Sequence, residues 1–434
     1  MVPLTRWPAV PAFQPAADAA ASETPAHRLA TWAVTASIIG VPLLQPGGPG
    51  NSAPTDVLIL ASLVGALLWA TADRVRLRAP YLVSVGLFAT FGLVSALLGR
   101  WTSYGGVLVL SDLYLYVWCL AIVNVACTPG ALRTVLRGWS LSAAVWASVL
   151  VFGALSGQAA LAGLSFGGTR AALTFSHPNQ AGSYFLLSFW IVLATPFSTT
   201  FRKTIAAGLV LAAMLFTGSM GSLTGFAAGV LVVTIAEAWR RRGAFAAVAV
   251  PIALAFTVGT LVVAAQQADV LERAQQSDVR LIHDSIGRSD RSSSGRLIRF
   301  AELWSERGGI SPLGIGPGAT KMYLEEHQAT EAKEAHSDYI ATLVERGIPG
   351  ALALVLLLGV IAVQSASLVR HRIKEAFRSS IGWSVPLAAA AAGLAVNGLT
   401  HEILHYRQTW GFIGVLGAAY VFALDRRSRA EVTT

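Results

Sequence analysis

The chain has 434 residues, 54% of them hydrophobic and only 13% charged, with a formal net charge of +9 and a mean hydropathy of +0.59. A soluble domain carries about 25% charged residues, so the composition excludes an ordinary soluble fold. The positive balance, which in a soluble chain would suggest nucleic acid, is divided among short arginine clusters between apolar runs.

In chain order, residues 1–26 are polar and proline-bearing and lack the basic–apolar–cleavage order of a secretory leader. They read as a cytoplasmic tail. Apolar segments long enough to cross a bilayer as helices follow at 28–46, 54–72, 81–98, 107–127, 139–161, 181–197, 203–217, 220–237, 243–265, 344–368, 381–399 and 408–424. The expectation is an all-α polytopic membrane protein with twelve spans. Arginine clusters follow each even-numbered span: Arg74, Arg76 and Arg78; Arg133 and Arg137; Arg202 with Lys203; Arg240, Arg241 and Arg242; Arg370, Arg372, Lys374 and Arg378; Arg426, Arg427 and Arg429. The positive-inside rule then puts both termini in the cytoplasm and the long polar stretch outside. The chain divides into a nine-span region, 1–265, an outer loop with amphipathic helical character, 266–343, and a three-span region with a cytoplasmic tail, 344–434. Cys119 and Cys127 lack disulfide or metal spacing and read as packing.

Polar groups gather in the outward connections. Arg170 precedes His177-Pro178-Asn179-Gln180, a turn followed by a helix cap or, alternatively, polar groups facing a headgroup. Thr217-Gly218-Ser219-Met220-Gly221-Ser222 is a tight small-residue turn, suited to close packing or to presenting backbone N–H groups to an anion. The long loop carries Arg288, Arg291 and Arg296. Ser294-Gly295 reads as the entry to an amphipathic helix running past Trp304. A cation in that helix's first turn opposes the helix dipole, so Arg296 is the strongest candidate for an anionic ligand. Its planar fork matches phosphate oxygens. Pro312-Leu313-Gly314-Ile315-Gly316-Pro317-Gly318 is turn-rich and lacks the lysine of a nucleotide-binding loop.

His336 stands where the outer loop re-enters the bilayer, with Glu334 and Asp338 beside it. It can accept a proton near neutral pH, or it can simply cap a helix at the interface. Gly347 and Gly350 permit a kink or a close crossing. The last outer turn adds His401, Glu402, His405, Tyr406 and Arg407, a polar cavity wall or, less favoured, a metal site. Asp112 is the clearest carboxylate within a span, and no partner for it is evident. Taken together, outward arginines suit a lipid-linked pyrophosphate, and a neutral histidine suits deprotonating an incoming hydroxyl.

Three segments resemble the signatures of bacterial O-antigen ligases, in the O-antigen ligase/polymerase superfamily. His336-Ser337, nine residues, then Gly347-Ile348-Pro349-Gly350 resembles the H-[N/S/Q]-x9-G-x-x-G motif. Ser294-Gly295-Arg296 with Trp304 resembles a second signature, and Phe175-Ser176-His177-Pro178-Asn179 a third. The resemblance implies a GT-C-like, inverting, metal-independent and cofactor-free glycosyltransferase of the bacterial inner membrane with a periplasmic active site. Its donor would be O-antigen on undecaprenyl pyrophosphate, and its acceptor a sugar hydroxyl of lipid A–core. His336 would be the general base and Arg296 the pyrophosphate ligand. Relatives often carry an arginine after the serine of the seventh turn, where this chain has Ser219-Met220. Arg170 or Arg288 would then supply the second cationic contact, and His177, Asn179, Arg291, His401, His405 and Arg407 further polar contacts. An O-antigen polymerase or an O-linked oligosaccharyltransferase would share this chemistry. A lipid or solute transporter is the alternative of a different class.

Overall fold

A computed structural model describes residues 24–45, 52–165, 170–254, 276, 311–328, 332, 334–370 and 379–432. Arg288, Arg291, Arg296 and Trp304 lie outside the described residues. The helices are α1 (Pro25–Ile39), α2 (Pro54–Ala72), α3 (Leu82–Leu98), α4 (Thr102–Val125), α5 (Pro129–Leu155), α6 (Ala159–Ala162), α7 (Pro178–Ala194), α8 (Thr200–Phe216) and α9 (Met220–Arg242). They continue with α10 (Ala244–Leu254), α11 (Thr320–Glu326), α12 (Asp338–Arg370), α13 (Val385–Asn397) and α14 (Arg407–Val432). Between α6 and α7 lies a minimal antiparallel pair, β1 (Leu164–Ser165) and β2 (Arg170–Ala171), with Ser165 opposite Arg170. The described fold is otherwise all-α.

Each of the twelve apolar segments read from the sequence falls on a described helix. Five of these helices, α2, α4, α5, α9 and α12, are long and apolar enough to cross a membrane. α3, α10 and α13 are shorter apolar helices. The protein is thus a multi-pass membrane protein. Several helix starts run ahead of the apolar windows because capping, rather than hydropathy, sets them. α5 begins ten residues before its apolar window, at Pro129, behind Thr128, whose hydroxyl accepts from Ala131 N at 3.4 Å. Arg133 and Arg137 therefore sit inside α5, not in a connection as the sequence suggested. The Thr24–Pro25 and His177–Pro178 starts repeat this arrangement, with proline at a position whose missing N–H has no helical partner anyway.

The core is aromatic at its centre. Trp118, Trp139 and Trp410 are buried among Tyr184, Phe185 and Phe412. Each indole N–H finds an acceptor, as a ring away from water requires: Ser37 Oγ at 3.0 Å, Ser188 Oγ at 2.9 Å and the Leu404 carbonyl at 2.6 Å. α12 packs on α3 and α13, α13 on α9, and α14 on α4.

α12 is broken near its start. Gly347 has φ 69°, in the left-handed region, and a Cβ there would overlap the Pro312 carbonyl. Two residues on, Pro349 cannot donate to the Glu345 carbonyl. That carbonyl instead accepts from Gly316 N at 2.9 Å. The Val344 carbonyl accepts from Ile315 N at 3.1 Å, and Ile348 N donates to Pro312 O at 2.9 Å. The segment 312–318 is therefore a backbone patch over a helix break. Beside it, the Glu345 carboxylate accepts from Gly318 N at 2.7 Å and Thr320 Oγ1 at 2.7 Å. Arg346 turns the other way, pairing with Asp112 of α4, reaching the Phe88 carbonyl at 3.2 Å and lying 3.9 Å from the Phe88 ring centroid. The carboxylate that lacked an evident partner in the sequence is thus neutralised by the arginine beside the break.

Candidate active site

At the start of α12, two segments are laced together by bonds between residues 56 to 66 positions apart in the chain. Asp338 N donates to the Gly398 carbonyl at 2.9 Å, and Asp338 Oδ1 accepts from Ile403 N at 3.0 Å and Leu404 N at 3.2 Å. Tyr339 Oη donates to the Ala395 carbonyl at 2.8 Å. His336 N donates to Glu402 Oε1 at 2.9 Å. Asp338 and Ser337 are buried, whereas His336 and Glu402 are half-buried. His336 has φ 52°, a left-handed backbone that non-glycine residues adopt uncommonly and that clusters at functional sites.

The 397–407 corner extends this clasp to the turn between α8 and α9. His401 is buried, and its Nδ1 lies 3.2 Å from Asn397 Oδ1 and 3.0 Å from Thr400 Oγ1. Gly221, in the first turn of α9, sits against this pair, and a Cβ there would overlap both Thr400 Oγ1 and the His401 ring. Small residues at this turn thus serve close packing, and they bring α9 to the corner. On the other side of the turn lies Arg170, carried by β2 and buried. Its Nε donates to the Thr217 carbonyl at 2.8 Å and its Nη2 to Asn179 Oδ1 at 2.7 Å. Asn179 N in turn donates to His177 Nδ1 at 3.1 Å, so His177 is the cap of α7. Gln408 Nε2 donates to the Gln180 carbonyl at 3.2 Å and ties α14 to the same end of α7.

The sequence candidates therefore fall into groups. Arg170, His177 and Asn179 form one hydrogen-bonded unit against the α8–α9 turn. His401 joins that turn to the His336 clasp. His405 is exposed, with its ring 4.5 Å from that of Tyr406. Arg407 is turned into the bundle, where Nε and Nη2 grip both oxygens of Asp56 at 2.9 and 2.6 Å and Tyr114 adds a third bond at 3.0 Å. Among the described residues, no three His, Cys, Asp or Glu side chains gather as metal ligands would. A cavity of about 1100 Å3 runs between α9, α12 and α13, from Arg240, Arg241 and Arg370 to Ala395, and His336 is not among its lining residues.

Two features were missed in the sequence. Glu402 was read as part of a polar wall or a less favoured metal site, whereas it is the acceptor for the His336 N–H. Arg346 was unremarked, and only its position next to Gly347 could have hinted at a buried role. Electrostatics single out Glu402 further. Burial, followed by the nearby Glu345, Glu334 and Asp338 carboxylates, holds its carboxyl well above the usual range, with the His336 N–H pulling the other way. Burial and the Asp338, Glu402 and Glu334 carboxylates likewise raise the Tyr406 phenol.

These features define a multi-pass α-helical membrane protein with a polar, partly strained cluster at one end of its bundle. Residues 205–355, less than half of the chain, match the family model described as O-antigen ligase, so the chain carries a domain of that family. The matched region holds the α8–α9 turn, the helix break and His336. A comparison with curated proteins finds no match.

Proposed function

We propose that the protein is an O-antigen ligase that moves O-antigen from undecaprenyl pyrophosphate to a sugar hydroxyl of lipid A–core at the periplasmic face of the inner membrane. The observation that carries this reading is His336: a half-buried imidazole on a left-handed backbone, clasped to a distant corner inside the family-matched region. The acceptor hydroxyl attacks the anomeric carbon of the donor, on the face opposite the pyrophosphate. Its proton passes to His336 as the new C–O bond forms. The bond to undecaprenyl pyrophosphate breaks in the same displacement, which inverts the anomeric centre. Arg296 takes the charge developing on the leaving group. Arg170, whose Nε is already on the Thr217 carbonyl of the seventh turn, supplies the second cation at the place where relatives carry a turn arginine. The polar face of the long loop, 266–343, forms the rest of the site, and twelve spans in a GT-C-like arrangement surround it.

A transporter reading is disfavoured by the buried carboxylates. Asp112 is paired with Arg346, and Glu345 accepts from Gly318 and Thr320, so the fold itself engages both. The test is transfer by purified protein reconstituted with lipid-linked O-antigen and lipid A–core, with and without chelator. His336→Ala is expected to lower the rate by about 10²–10⁴-fold, the usual contribution of a general base, with donor binding and Tm retained. Undiminished transfer by that variant would end the base assignment. Polymerised donor without ligated acceptor would make the protein a polymerase.

A further inference from the structure

The His336 N–H precedes the α12 ladder, whose first described bond here runs from Ala341 N to the Ser337 carbonyl. It therefore has no partner within the helix. The side chain that takes it, Glu402 Oε1 at 2.9 Å, comes from the corner between α13 and α14. The backbone torsion at His336, φ 52°, sets the direction of its Cα–Cβ bond, so a bond to its N–H also constrains where the imidazole leaves the chain. Glu402 is itself well fixed. The next two residues donate to Asp338 Oδ1, and the preceding one packs against Gly221. The corner and the start of α12 are therefore tied together by several hydrogen bonds.

We propose that Glu402 is a positioning residue for His336, holding the imidazole in its working direction through the backbone rather than exchanging a proton with substrate. The inference rests on the reading of His336 as the general base. Glu345, Glu334 and Asp338 are the carboxylates that face Glu402. An Oε1 acceptor serves whether or not the carboxyl is ionised, so the amide of glutamine replaces it and a hydrocarbon does not.

The experiment compares the reconstituted full chain with His336→Ala, Glu402→Ala, Glu402→Leu and Glu402→Gln, using lipid-linked O-antigen and lipid A–core as substrates. Glu402→Ala is expected to lower kcat by about 100-fold, the scale of a small misplacement of a catalytic group, while KM for both substrates changes little. Glu402→Leu keeps the bulk without the acceptor and replaces Glu402→Ala where that variant does not fold. Glu402→Gln should recover most of the rate with the pH profile of the parent. Parental rates in Glu402→Ala and Glu402→Leu, beside an inactive His336→Ala, would overturn this inference and leave the base reading standing. A Glu402→Gln variant as slow as Glu402→Ala would also overturn it, because the proton rather than the acceptor would then be required. An active His336→Ala would end the base reading, and the positioning role with it.

Discussion

His336 and the Gly347 break lie eleven residues apart, just before and within α12, and both fall within one recognisable motif. At the break, the charged side chains and the freed carbonyls are taken up by the fold. Glu345 accepts from Gly318 and Thr320, Arg346 pairs with Asp112, and the freed carbonyls of Val344 and Glu345 take N–H groups from 315 and 316. At the clasp, carboxylates hold the backbone by its N–H groups and leave a half-buried imidazole at the surface of the cluster. Histidine followed at fixed spacing by two glycines thus spans two differently built regions. The break seats the start of α12 against the 312–318 segment, and the clasp ties that start to the 397–407 corner.

That division makes different demands on each half. The largest stability effect belongs to the break. Arg346→Ala strands the buried Asp112 carboxylate, and removal of one partner from a buried pair costs about 3–5 kcal/mol. A thermal melt should show it, and replacing Asp112 with leucine in the same chain should recover much of the loss. A smaller loss, about 2 kcal/mol, is expected for Gly347→Ala, which forces a side chain into a left-handed conformation and against the Pro312 carbonyl. Unchanged melting in both would show that α12 does not depend on the patch.

The smallest effect belongs to the clasp. A carboxyl held above its usual range in the folded protein stabilises the fold while protonated, and that contribution is lost as pH rises through its folded value. Glu402→Gln removes the ionisation, so Tm should fall less steeply from mildly acidic to alkaline pH than in the parent. Because the group is half-buried and screened by solvent, the difference should be on the order of 2 °C or less. An identical pH dependence would mean that the carboxyl does not titrate apart from its surroundings.

Much of the scaffold was legible before any coordinates. Hydropathy located the helices, since bilayer-length apolar runs leave the chain few alternatives. It misjudged the start of α5, because Thr128 and Pro129 set that end by hydrogen bonding and a fixed φ rather than by apolarity. The tight turn at 217–222 was legible from its small residues. Its neighbour was not, since Arg170 reaches it from a two-residue strand with no strong pattern of its own. A metal at His401, Glu402 and His405 stayed open as the less favoured reading because spacing along the chain says nothing of direction. His401 faces Gly221, Glu402 faces His336, and His405 is exposed.

By itself, the sequence determined which segments are apolar helices and that a histidine stands before a Gly-x-x-Gly break. Those are local properties, written in composition and short spacing. Only the tertiary structure decided that Asp112 belongs to Arg346, Arg407 to Asp56 and the His336 N–H to Glu402. Each of these pairs joins residues far apart in the chain, and its formation depends on how the helices pack and where their connections are carried, which no local pattern encodes.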